Sequence, residues 1–95
     1  MIAIINQIYE IQRKSIENDF LLTERNINRL FHELDEMGYR ILIPLNEPYN
    51  ENRTDIDARL MNTDASKITK VIKPVIYQEN DNQLILLQKG IVIVE

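Results

Sequence analysis

The single histidine, His32 in the stretch "NRLFHELDE", is where acid–base chemistry would first be sought. On a helix its neighbours three and four residues away are Asn28, Arg29, Asp35 and Glu36. These can hydrogen-bond or pair with an imidazole, but they include no Ser, Thr or Cys for a base to activate. His32 therefore reads as a solvated helix-face residue, or as a contact to a partner. The 15 acidic residues are scattered, so spacing sets no two of them as a general acid and base. The segment 46–55 holds Glu47, Asn50, Glu51, Asn52 and Asp55, yet it lacks the ligand alternation, central Gly and closing Glu of an EF-hand calcium loop. Gly38 and Gly90, the only 2 glycines, are too far apart to build a phosphate cradle. These features predict a protein that is not an enzyme and needs no resident metal or cofactor.

The totals narrow the class further. A chain of 95 residues forms one domain with a modest core, which makes extra burial by self-association an expectation. The absence of Cys removes disulfides and thiolate zinc sites, and a reducing cytoplasm fits it. Eleven basic residues against 15 acidic give a net charge of −4 with no basic stripe, which argues against nucleic acid as a partner. The six aromatics, Tyr9, Phe20, Phe31, Tyr39, Tyr49 and Tyr77, are too separated for a base-stacking platform. The N-terminus has neither a basic leader with an apolar run nor a membrane-spanning segment, so a soluble, unprocessed protein is expected.

The elements that would position these residues change character at Gly38. Before it there is no Gly or Pro, and apolar residues recur at helical spacing. Ile4, Ile8 and Ile11 form one line, with Ile5, Tyr9, Ile16 and Phe20 beside it; together they are broader than one neighbouring helix would cover. A second stripe runs Ile27, Leu30, Leu34 and Met37, with Phe31 adjacent. A helical hairpin or one bent helix accommodates both stripes. The break is expected between residues 18 and 24, where Asn18, Asp19 and Thr23 can cap. The division is thus a helical dimerisation region over 1–37 and a small β-domain over 38–95, an α+β layout. Ile4, Ile8, Ile11, Ile27, Leu30 and Leu34 are the expected dimer interface, in preference to a membrane-surface helix with so few cations.

Gly38 suits the left-handed residue that ends a helix. "YRILI" then reads as a strand stopped by Pro44, "NEPYNENRTD" as a polar connection, and residues 56–61 as a strand with Ile56, Ala58 and Leu60 on one face. Pro74 inside "KITKVIKPVIY" cannot donate to a ladder, so it must lie at an edge, a bulge or a break. "ENDNQ" closes a hairpin onto "LILLQKGIVIVE", and Gly90 marks a bulge or bend where that strand passes between two small sheets.

The helix running into "LFHELDEMGYRIL", the connection "PLNEPYNENRTD" and the terminal "VIKPVIYQENDNQLILLQKGIVIVE" together resemble the C-terminal half of the GrpE family, over about residues 27–95. The likeness rests on the helix ending at Gly38, on Pro48 beside Tyr49 with Asn52 following, on Tyr77 at the end of the penultimate strand, and on Ile91, Val92 and Val94 in the last. GrpE proteins are nucleotide exchange factors for DnaK-type chaperones. The resemblance implies a compact two-sheet head on a shortened helical stalk, homodimerisation through the helices, and binding of one head to the chaperone's nucleotide-binding domain to promote ADP release. It places the partner surface on the last hairpin, at Tyr77, Leu86, Gln88 and Lys89. Gln88 stands where the family carries a basic residue, and Ile76 where it carries a Gly. The other reading is a structural, dimeric interaction module with a GrpE-like fold and a different protein partner.

Overall fold

The computed structural model describes residues 1–17 and 24–95, with two helices followed by six strands. The break expected between residues 18 and 24, with its capping candidates and Phe20, lies outside the described residues. Helix α1 spans Ile2–Glu17 and α2 spans Glu24–Glu36. The Gly38 N–H donates to the Asp35 carbonyl at 2.9 Å, and Gly38 takes φ +90°, the left-handed conformation that closes α2. Its own carbonyl accepts from Glu79 N–H at 2.8 Å, so the residue that ends the helix also begins the first ladder.

The strands are β1 (Tyr39–Leu42), β2 (Ile56–Leu60), β3 (Ile68–Lys73), β4 (Val75–Asn80), β5 (Gln83–Gln88) and β6 (Gly90–Val94). They form two three-stranded sheets, ordered β1-β4-β5 and β2-β6-β3. All pairings are antiparallel except β2 with β6, which is parallel. One long hairpin builds the centre of both sheets. Its tip is the two-residue loop Asp81–Asn82, where both residues have positive φ, at 51° and 66°, as a tight turn matched to strand twist requires. Asp and Asn tolerate that region better than most side chains.

Both arms of the hairpin change sheets at the same level. Pro74 separates β3 from β4, so its missing N–H falls at a break in the ladder. On the other arm Lys89 separates β5 from β6, and Gly90 opens β6 in the second sheet. A Cβ on Gly90 would come within 2.8 Å of Val75 Cγ2 and 3.3 Å of Ile56 Cγ2. Glycine is needed there because the two arms and β2 converge on one point.

Helices and strands share their cores. Ile5 of α1, Leu34 of α2 and Ile76 of β4 pack together, joined by Ile8, Phe31, Tyr39, Ile41 and Leu87. Tyr9 joins Ile56, Ile68, Val71, Val75, Val92 and Val94 beneath the second sheet. The Tyr9 hydroxyl donates to the Val71 carbonyl, fastening α1 to β3. Residues of α1 and α2 thus pack against the strands. The expected strand at 56–61 ends at Leu60, and its apolar face runs from buried Ile56 out to exposed Leu60.

This packing corrects part of the expected dimer interface. Ile27 and Leu34 are buried inside the chain, Leu34 against Ile5 and Ile76. Of the α2 stripe, Ile27 and Leu34 are buried within the chain, while Leu30 and Met37 stay exposed. Ile8 is half-buried for the same reason, whereas Ile4, Ile11 and Leu30 remain exposed.

Candidate protein-interaction surface

The hairpin places the predicted partner residues close together. Tyr77 on β4 lies directly opposite Leu86 on β5, and Ile76 lies opposite Gln88. Leu87 is the extra residue in a register shift between these pairs, and it turns into the core beneath the helices. Leu86 is exposed, and Lys89 is exposed with its Nζ 4.0 Å from Asp57 Oδ1. Tyr77 is half-buried, packed against the core that includes Val75 and Val92.

Gln88 is engaged within the chain. Its Nε2 donates to the Pro74 carbonyl and to Asn6 Oδ1, both at 2.9 Å, and its Oε1 accepts from Asn6 Nδ2 at 2.9 Å. It ties α1 to the level where the hairpin changes sheets. All three interactions hold the fold together. Tyr77, Leu86 and Lys89 are left as the surface around it.

Next to this surface, Arg53 organises the polar connection between β1 and β2. Its guanidinium forms a fork on Asp55, Nε to Oδ1 and Nη2 to Oδ2, each 3.0 Å, while Nη1 reaches Glu47 Oε1 at 3.3 Å. The hydrogen bond from Arg53 holds the Asp55 carboxyl below its ordinary pKa, with a smaller contribution from the Tyr77 hydroxyl. The same bond to Asp55 raises the Arg53 pKa further. The acidic and amide-rich loop is thus a braced connection beneath Tyr77. The only signal for it in the sequence is Arg53 two residues before Asp55.

His32 makes a long contact with Glu36, Nε2 to Oε1 3.7 Å, and both side chains are two-thirds exposed. Among the described residues no three His, Asp or Glu side chains group to hold a metal ion, and no helix is long and apolar enough to cross a membrane. Sequence reasoning missed the exposed apolar run Leu84, Ile85 and Leu86 as a unit, because it took β5 only as the closing arm of the hairpin.

Fold and surface together define an α+β domain of two small sheets with an exposed hairpin flank. No protein-family model matches the chain, and neither the curated proteins nor the solved structures contain a match to it.

Proposed function

We propose that the chain is a GrpE-like exchange factor or adaptor, which binds the nucleotide-binding domain of a DnaK-type chaperone through the last hairpin and promotes ADP release. The observation that supports this reading is the two-sheet β-domain, built on one bent hairpin and entered through a helix closed by Gly38. That is the arrangement the resemblance implies. In this reading Leu86 and Lys89 make the contact, with Tyr77 behind Leu86 and Gln88 holding the hairpin to α1. The protein works in the cytoplasm by binding the open chaperone better than the closed one, so the bias it supplies cannot exceed that difference in affinity. No catalytic residue, cofactor, metal, nucleic acid or membrane enters the mechanism.

The test is release of a fluorescent ADP analogue from a DnaK-type chaperone. Acceleration is expected, and Leu86→Glu should abolish it without unfolding the protein. No acceleration and no complex at ~100 μM would remove the proposal.

A second reading, an interaction module with another protein partner, is favoured by the helices. They fold onto the sheets and bury Ile27 and Leu34, which leaves less of a stalk to pair. Recovery of a different partner by a tagged copy, with no chaperone bound, would select it.

A further inference from the structure

Between the exposed side chains of Leu86 and Lys89 stand Leu87 and Gln88, and the sheet alone does not fix either of them. The register of β4 with β5 shifts there: Tyr77 faces Leu86 and Ile76 faces Gln88, which leaves Leu87 without an opposite residue. An extra residue of this kind interrupts the ladder, bends the strand and re-aims the side chains beside it. After Gln88 the chain leaves the first sheet, and Gly90 opens β6 in the second. The segment that carries Leu86 and Lys89 therefore crosses both a bulge and a change of sheet.

Helix α1 supplies the hold that the ladder lacks. Leu87 packs against the cluster of Ile5, Leu34 and Ile76, in which Ile5 is fully buried. The next residue of the helix then takes the next residue of the strand. Asn6 Nδ2 donates to Gln88 Oε1, and Gln88 Nε2 donates to Asn6 Oδ1, both at 2.9 Å. Gln88 Nε2 also donates to the Pro74 carbonyl, where the other arm of the hairpin breaks. Both hydrogens of the Gln88 amide and its oxygen are thus engaged, which fixes the plane of the side chain.

We infer that Asn6 is a positioning residue for the partner surface: acting through Gln88, it sets how Leu86 and Lys89 stand relative to one another. Leu86 lies in the ladder before the bulge, opposite Tyr77. Lys89 lies after it, with its Nζ 4.0 Å from Asp57 Oδ1 on β2. The held pair between them sets the angle at which one follows the other. Helix α1 thereby shapes a surface to which it lends no contact residue. The inference rests on the reading that Leu86 and Lys89 make the contact, and not on which protein they meet. A staple that added stability alone would leave that surface unchanged when cut, whereas a positioning contact would not.

Amide NMR of the free, folded chain separates the two roles. Asn6→Ala should shift the resonances of residues 86–89 and quicken their hydrogen exchange about fivefold, the factor to which one lost hydrogen bond corresponds. The amides of Ala58, Arg59 and Leu60, at the far end of β2, should hold. Gln7→Ala, at the exposed neighbouring position of the same helix, should leave residues 86–89 as they are. In the ADP-release assay Asn6→Ala should weaken the chaperone complex about as much as Lys89→Ala does, with both variants folded by circular dichroism. Unmoved resonances at 86–89, equal changes at 58–60, the same changes in Gln7→Ala, or chaperone binding lost in Lys89→Ala and intact in Asn6→Ala would each overturn the inference. If the unaltered chain binds no chaperone, the chaperone reading falls, and the resonances of the free chain still decide the role of Asn6.

Discussion

The carboxamides of Asn6 and Gln88 face each other across 82 residues of sequence, each donating to the other's oxygen at 2.9 Å. Neither side chain is fully buried, and Gln88 also caps the Pro74 carbonyl. Removing either amide leaves its partner short of two hydrogen bonds. Asn6→Ala and Gln88→Ala should each lower unfolding free energy by about 1 kcal/mol. The double variant should lose less than the sum, because both substitutions break the same pair. Urea denaturation of the four chains checks this, and strict additivity would mean the pair is not formed.

Gly90 tolerates no side chain without displacement of Val75. Gly90→Ala should cost about 1–3 kcal/mol through overpacking. In a Val75→Ala background the cost should shrink, since the clashing methyl at 2.8 Å is gone. Equal costs in both backgrounds, read from chemical denaturation midpoints, would count against the close approach.

Arg53 and Asp55 give the fold a dependence on acid. Asp55 is held below its ordinary pKa, so the folded state releases its proton more readily than the unfolded chain. The stability this contributes is present above the unfolded carboxylate value of about 4 and is lost as pH falls through the lower folded value. Asp55→Asn should therefore narrow the stability difference between pH 6 and pH 3, most visibly below pH 4. Thermal unfolding across that range is the measurement, and an unchanged pH profile would contradict the pairing.

Tyr9→Phe removes the hydroxyl that reaches the Val71 carbonyl and keeps the ring in the core. A loss of about 1 kcal/mol is expected, a fall in Tm of about 4–8 °C for a domain of this size. Calorimetry would show it directly.

Leu34 and Leu30 separate folding from surface properties. Leu34→Ala opens a cavity beside Ile5 and Ile76 and should cost about 2–5 kcal/mol. Leu30→Ala, on an exposed position, should stay within about 0.5 kcal/mol. A large loss at Leu30 would mean that an interface between chains contributes to stability there.

What the sequence revealed best were positions where the backbone makes a special demand. Gly38 had to accept a left-handed φ, Asp81 and Asn82 had to turn tightly, and Pro74 and Gly90 had to mark breaks. Each is a local requirement that residue type alone meets. The direction of the helical stripes was less legible, because Ile27 and Leu34 satisfy the same period whether they face a partner chain or their own sheet. The in-chain role of Gln88 was hidden for a related reason: its partner Asn6 is distant in sequence, and nothing near Gln88 announces it. The openness of β5 depended on which strand took the outer place in its sheet, a matter of topology rather than composition.

The central place of β6 in the second sheet also bears on the order in which the two sheets can form. Strands β2 and β3 pair only through β6, in parallel on one side and antiparallel on the other. Until residues 90–94 take their place, β2 and β3 have no strand between them, whereas β1, β4 and β5 pair with one another without β6. A partly folded chain can thus hold the first sheet complete beside two unpaired strand-forming segments, and the arrival of β6 completes the second sheet in a single step.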